Sequence, residues 1–222
     1  MEPLSGETIH QLLDTVKPWL NPEQAFVCDL AKTEWNARLA IAAALLESGK
    51  ESEGVLMLES MAQASPCEDP GQESARIKAL VELAGIRMEE MKYDEAERLL
   101  WDARKGYQAS LSLDFHREDI SLMIAQCRFG QGFIRDAIDR AEAVLHKLNT
   151  MDDKGTLETR AHQLLGWFYL HKTDVATALN HIKQAMSLAP SLDQQLVDEG
   201  WKAEQSGDFE KAVACYFDSI QL

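Results

Sequence analysis

The sequence predicts an all-α protein built from stacked helical hairpins, and three observations support this fold class. Apolar residues recur at helical spacing along nearly the whole chain, without the sustained alternation of a β-strand bounded by hairpin turns. Small residues occur in pairs 12 positions apart, as is expected where two packed helices cross. Successive pairs follow at steps of 42, 41, 41 and 34 residues, a period typical of helical repeats. The pairs are Ala42/Gly54, Ala84/Ala96, Ala125/Ala137, Gly166/Ala178 and Gly200/Ala212.

The first repeat is predicted over residues 35–66, with a turn at Gly49-Lys50 and a stop at Pro66, which cannot continue a helix. Residues 1–34 are interpreted as a degenerate N-terminal hairpin, since Asn21, Pro22 and Glu23 supply an N-cap, a first-turn proline and a dipole-compensating acid. Whether its second helix breaks near residue 33 or runs on into the first repeat is left open by the sequence.

The four later repeats show the same order of helix, turn and helix. A polar loop over residues 65–72, with two prolines and a glycine, leads into the second repeat. Asp174 is a candidate N-cap, and Pro190 follows the end of the fourth repeat. The predicted bounds are 73–110 (helices 73–91 and 93–110), 115–149 (turn at Gly130-Gln131-Gly132), 156–190, and 193–222 (turn at Ser206-Gly207-Asp208).

The fourth repeat resembles a tetratricopeptide repeat. It contains Leu165-Gly166 and Tyr169 in the first helix, Ala178 and Ile182 in the second, and the following proline. The second and fifth repeats also resemble this family, the first and third less so, and the resemblance covers roughly residues 35–222. It implies a right-handed superhelix of about five repeats, and most of them are longer than the 34-residue family period.

Composition restricts the class of partner. The formal net charge of -15, concentrated in the N-terminal third, opposes binding to nucleic acid and to anionic membranes and favours basic partners, although a solvated acidic surface is the simpler explanation. The four cysteines are widely spaced, which suits reduced thiols in the cytoplasm. The N-terminus lacks a basic start and a long apolar run, and the apolar stretch Leu39 to Leu46 is too short to cross a bilayer. The chain is therefore predicted to be cytoplasmic.

The sequence contains no pattern that indicates catalysis, a metal or a cofactor. His162 and His171 lie nine residues apart on one predicted helix and His181 lies on its partner, without a metal-ligand spacing. The string Gly130-Gln131-Gly132 follows a helix and lacks a third glycine, so it is interpreted as a turn and not as a phosphate-binding loop. We expect no enzymatic activity, no metal and no cofactor.

The resemblance also implies a concave groove lined by the first helix of each repeat. Trp167 and Trp201 are the candidate anchors, with the equally weighted alternative that they pack between repeats. The best candidate groove residues are Lys78, Met88, Gln126, Phe129, Arg160, Gln163, Trp167, His171 and Trp201, and the same register adds Val81, Leu122, Leu170, Glu204 and Gln205.

The leading functional hypothesis is a non-enzymatic scaffold or adaptor whose groove binds a peptide or helix of a partner protein. Two alternatives stay open: a regulatory module that senses a peptide or effector, and an acidic secretion chaperone. A homodimer is a further hypothesis, because Phe217 and Ile220 leave the last helix with an apolar edge that no later helix covers.

Overall fold

The computed structural model describes residues 34–221, apart from residues 67, 109, 112, 152, 153 and 155. Within this part the chain is all-α, as predicted, with one two-residue antiparallel ladder. The hairpin predicted over residues 1–34 lies outside the described residues, except for Glu34. In chain order the elements are α1 (Glu34–Glu47), α2 (Glu51–Ala62), α3 (Pro70–Glu89), α4 (Tyr93–Gly106), α5 (Arg117–Gly130), α6 (Ile134–Leu148), α7 (Leu157–His171), α8 (Val175–Leu188), β1 (Ser191–Leu192), α9 (Gln194–Gln205), α10 (Phe209–Ser219) and β2 (Ile220–Gln221).

The chain divides into two compact units. The first, unit 1, ends at His116, and its described part contains α1 to α4. The second, unit 2, begins at Arg117 and contains α5 to α10. In unit 1, α3 packs against both helices of the preceding hairpin, and in unit 2, α7 does the same. At α3 and α7 the two units therefore follow the same packing rule, in which the first helix of a hairpin covers the hairpin before it.

A single turn geometry closes all five described hairpins. At each turn one residue has a positive φ: Gly49, Met91, Gly132, Thr173 and Gly207. The residue after it donates its amide to the carbonyl five positions earlier, at 2.8–3.0 Å, which is the hydrogen bond of a Schellman cap. In each hairpin this left-handed residue lies seven positions after the first small residue and five before the second. The repeated turn therefore accounts for the constant offset of 12.

The paired small residues lie where the two helices of a hairpin approach each other. A Cβ added to Gly54 would lie 2.8 Å from Leu46 Cγ and 3.1 Å from the carbonyl oxygen of Ala42. A Cβ added to Gly166 would lie 3.2 Å from Ile182 Cβ and 3.3 Å from the carbonyl oxygen of Ala178. The helices are thus so close that a methyl group at either glycine requires its neighbours to move.

Helix α3 begins earlier than the predicted residue 73. The Asp69 side chain accepts a hydrogen bond from the amide of Gln72 at 2.8 Å, and Pro70 occupies the first turn. The prediction of a loop at Pro70 and Gly71 was therefore wrong, because these residues form the capped start of a helix. The second helix of this hairpin, α4, ends at Gly106 rather than at the predicted residue 110.

The last hairpin is docked in the reverse order. Its second helix, α10, packs against α7 and α8, whereas its first helix, α9, packs chiefly against α10. Residues buried in α10 include Val213 and Tyr216, whereas those buried in α9 are the small Gly200 and Ala203. Because the larger apolar residues of the hairpin lie on α10, this helix packs against α7 and α8 although it is the second helix of its hairpin.

This reversal changes the interpretation of the C-terminal edge. Ile220 is 8% exposed and pairs with Leu192 in the β1–β2 ladder, and Phe217 packs against Trp167 with ring centroids 5.1 Å apart. These contacts come from β1 and α7 of the same unit. The predicted open edge was therefore wrong at Ile220, which is buried, whereas Phe217 is half-buried beside Trp167.

Candidate protein-binding surface

One face of α7 carries four of the predicted groove residues at helical spacing: Arg160, Gln163, Trp167 and His171. Trp167 and His171 are in ring contact, with centroids 4.5 Å apart, and the His171 Nδ1 is 3.0 Å from the Trp167 carbonyl oxygen. The helix thus presents a polar half at its start and an aromatic half at its end.

Neighbouring helices extend the aromatic half on both sides. Phe129 of α5 makes an edge contact with His171 at a centroid distance of 5.0 Å, and Phe217 of α10 lies 5.1 Å from Trp167. We call the four residues Phe129, His171, Trp167 and Phe217 the aromatic row. Phe129 also stacks on the buried Phe168 at 4.8 Å, so the row is continuous with the core of unit 2. This support holds the ring positions in place.

Arg160 forms the polar border of the row. One terminal nitrogen of its guanidinium is 3.5 Å from Gln126 Oε1, and the other is 3.8 Å from Asp119 Oδ1. Both distances are at the long limit for such contacts. By contrast, the amide of Gln163 donates to the Phe217 carbonyl oxygen at 2.9 Å, which ties α7 to the end of α10. Arg160 is thus a loosely held donor, and Gln163 has a structural contact.

Six predicted groove residues therefore come together in unit 2: Gln126, Phe129, Arg160, Gln163, Trp167 and His171. Trp201 does not join them, because it lies on α9, is 58% exposed, and belongs to the helix that docks away from α7. Leu122, which the same register placed in the groove, is fully buried in the core of unit 2. Phe217 was missed, since it lies in the second helix of its hairpin, where the family pattern places no groove residue.

Lys78 and Met88 lie on α3, in unit 1. The amino group of Lys78 is 3.1 Å from a carboxylate oxygen of Asp114, so its charge is used within its own unit. Met88 is half-buried near the C-terminal end of the helix. Lys78 and Met88 therefore belong to unit 1 and are not part of the set of six on unit 2.

Unit 1 has an open cavity of about 880 Å³ between α2, α3 and α4. Arg76 at its base makes two hydrogen bonds to Glu73, at 2.6 and 2.8 Å, and the two side chains are 6% and 5% exposed. Arg87 contacts carboxylates of α2 and α4, at 2.5 Å from Glu59 and 3.3 Å from Glu95. Both arginines are thus engaged by carboxylates: Arg87 joins α3 to α2 and α4, whereas the Arg76–Glu73 pair lies within α3.

Among the described residues, no group of three or more histidine, cysteine, aspartate or glutamate side chains could hold a metal ion. Of the helices that the structure describes, none combines the length and apolar content that a membrane span requires.

No protein-family model and no curated protein matches the sequence. Solved structures do match. The chain is similar to the structure described as a Podosopora anserina kinesin light chain with nearly identical TPR-like repeats, with 17% identity, a TM-score of 0.58, and coverage of 82% of this chain and 86% of that one. It is also similar to MamA of AMB-1, with 17% identity, a TM-score of 0.53 and coverage of 81% and 95%. MamA of Desulfovibrio magneticus RS-1 gives 15% identity, a TM-score of 0.52 and coverage of 82% and 85%.

These similarities define the class of fold: the chain has a tetratricopeptide-like repeat fold, as the sequence resemblance predicted. At such low identities they carry the architecture alone.

Proposed function

We propose that the protein is a non-enzymatic interaction scaffold that binds a peptide or helix of a partner protein on unit 2. The binding surface consists of the aromatic row, its polar border Arg160, and Gln126, which lies beside Arg160. The observation that carries the proposal is the juxtaposition of four rings with a loosely held guanidinium on one side of α7. Buried aromatic and arginine anchors contribute most of the energy in protein interfaces, and polar groups beside them fix the register.

The charge of the chain supports a protein partner over a nucleic acid. A net charge of -15 repels a phosphate backbone, and the widely spaced cysteines are consistent with a reducing cytoplasm. Self-association is not part of the proposal, because Ile220 is buried within unit 2 and Phe217 belongs to the aromatic row, where we place the partner peptide.

A peptide display experiment tests the surface. The bait is the wild-type chain alone, and the enriched peptides are then measured against the double variant Trp167→Ala with Arg160→Glu. Trp201→Ala serves as the matched control, since it removes a tryptophan from the same unit but outside the aromatic row. We expect enriched peptides to bind the wild type and the Trp201→Ala control with equal affinity. Loss of one hot-spot aromatic should weaken their binding to the double variant by at least about 2 kcal/mol, or roughly thirtyfold.

Circular dichroism must first confirm that the double variant keeps the wild-type helix content. Peptides that bind the folded double variant as tightly as the wild type would contradict the assignment of this surface. Peptides that lose affinity only in Trp201→Ala would move the binding site to α9.

A further inference from the structure

The fourth hairpin contains a histidine pair between its two helices. His162 of α7 and His181 of α8 are half-buried, and their Nδ1 atoms are 2.9 Å apart. Tyr169, two turns further along α7, stacks parallel to the His181 ring with centroids 5.6 Å apart, and its hydroxyl donates to Glu142 of α6 at 2.6 Å. The pair thus joins α7 to α8, and the tyrosine connects it to α6. None of these residues belongs to the proposed binding surface.

The two imidazoles face each other head-on. Their ring centroids are 5.2 Å apart, which is close to the Nδ1–Nδ1 distance plus the two ring radii, so the nitrogens lie nearly on the line between the ring centres. In this geometry one Nδ1 carries a proton and donates it, and the other accepts with its lone pair. A hydrogen bond between two histidines therefore requires that at least one ring is neutral.

The same geometry argues against a shared metal ion. Two imidazoles that bind one ion direct their lone pairs at a third point, beside the line that joins the nitrogens. Here the lone pair of one ring points at the other ring. The arrangement therefore suits a proton between the rings.

The surroundings disfavour protonation of both rings at once. Burial, which is the largest effect, lowers the pKa of both imidazoles, and the charge of His181 lowers the pKa of His162 further. The carboxylates that face the pair, Glu158 of α7 for His162 and Glu142 of α6 for His181, act in the opposite direction and only partly offset burial. Helix α10 meets α8 in the apolar cluster that contains Ile182. The charged groups near Tyr169 are Lys172, Asp139 and Asp174.

We infer that His162 and His181 form a proton-sensitive clasp. It holds α7 against α8 while only one of the two Nδ1 atoms carries a proton, and it releases when acidification protonates the other Nδ1 as well. Adding that proton replaces a hydrogen bond with two N–H groups that point at each other and carry like charge. The fourth hairpin, at the centre of unit 2, is thereby the segment whose stability responds to mild acid.

The sign of the effect follows from proton linkage. Because both pKa values are lower in the folded chain than the ordinary value of about 6.5, the unfolded chain binds more protons as the pH falls through and below about 6.5. The unfolding equilibrium constant then rises by up to tenfold per pH unit for each proton that the folded pair refuses. Stability is therefore retained above about pH 6.5 and lost below it.

Hydrogen exchange of the full chain measures the opening of this hairpin in acid. Exchange is read on peptides from α7 and α8 between pH 7.5 and 5.5 and is corrected for its intrinsic pH dependence. Substitution His181→Asn keeps an amide near the Nδ1 position but cannot titrate, so it should remove most of the acid-induced opening. His146→Asn is the matched control, because His146 is an exposed histidine of α6, and the control should keep the wild-type response. A wild-type response that persists in His181→Asn would overturn the inference.

The titration of the imidazole signals in the wild-type chain provides a second measurement that needs no variant. We expect two of the histidine signals to titrate below the ordinary value of about 6.5, and His162→Asn and His181→Asn identify them. If His162 and His181 titrate near the ordinary value, with opening unchanged down to pH 5.5, the clasp does not exist.

Discussion

Gly166 tests how closely the helices of the fourth hairpin cross. It lies in the interior of α7, and an added Cβ would be 3.2 Å from Ile182 Cβ and 3.3 Å from the Ala178 carbonyl oxygen. These neighbours are a branch-point carbon and a backbone atom, so neither can move by a simple change of rotamer. Gly85 provides the matched control, since it lies inside α3 and an added Cβ would have no neighbour within 4 Å.

Alanine at either glycine gains helix propensity, but only at Gly166 does it also cause overpacking. Replacement of an interior helical glycine by alanine stabilises a helix by about 0.8–1.0 kcal/mol. Gly85→Ala should show this gain in full. At Gly166 the same gain is opposed by overpacking, which typically costs about 1–3 kcal/mol. We therefore expect Gly166→Ala to lie between neutral and about 2 kcal/mol destabilising, which separates it from Gly85→Ala by about 1–3 kcal/mol.

Hydrogen exchange in increasing urea is the appropriate assay, because peptides from α3 and α7 report the stability of each unit separately. The comparison is between each variant and the wild type on its own helix. If Gly166→Ala stabilises α7 by as much as Gly85→Ala stabilises α3, then the small residues do not mark a close helix crossing. The 12-residue offset would then not reflect close helix packing.

Two further predictions concern charged and polar contacts. Arg76→Ala should destabilise unit 1 by about 3–5 kcal/mol in urea unfolding, because it leaves the buried carboxylate of Glu73 without its main ion pair, and a double Met substitution of both residues should recover much of the loss. The hydrogen bond to Glu142 and, after it, burial raise the pKa of Tyr169 to about 12. Burial and a hydrogen bond to Glu204 also raise the pKa of Tyr216 to about 12, so Tyr169→Phe should reduce an absorbance step near pH 12 by the share of one tyrosine, and Glu142→Gln should shift that share toward pH 10. The contribution of the Tyr169–Glu142 contact to stability should be complete below about pH 10 and lost as the pH rises to about 12.

Local chemistry explains why much of the repeat pattern could be predicted. A hairpin turn closed by one left-handed residue fixes how many residues separate two crossing points, so the small-residue pairs report it directly. At Met91 and Thr173 the left-handed position is filled by residues that carry no glycine signal, yet the offset remains 12. The pairing was therefore a more reliable guide than the turn residues themselves. The start of α3 was missed because Pro70 is compatible with a loop and with a first helical turn, and the Asp69 cap distinguishes them.

The candidate surface could be predicted only where neighbouring repeats follow the common packing rule. Phe129, Arg160 and Trp167 lie on α5 and α7, whose hairpins follow this packing rule, and they come together. In the last hairpin the family register predicted Trp201 as a groove residue. The structure instead places Phe217 of that hairpin beside Trp167, and Trp201 lies elsewhere on the surface. The histidine pair was likewise visible as two residues on partnering helices, but their distance and head-on orientation were not.

The sequence by itself determined the helices, the spacing of their crossings and the class of fold, because these depend on periodicity and on backbone conformations that each hairpin satisfies locally. Only the tertiary structure decided which helix of the last hairpin faces α7 and which rings meet there. That choice depends on competition between two whole helix faces for burial, and α10 buries Val213 and Tyr216 where α9 offers Gly200 and Ala203. Such a comparison of surfaces has no counterpart in the spacing of residues along one chain.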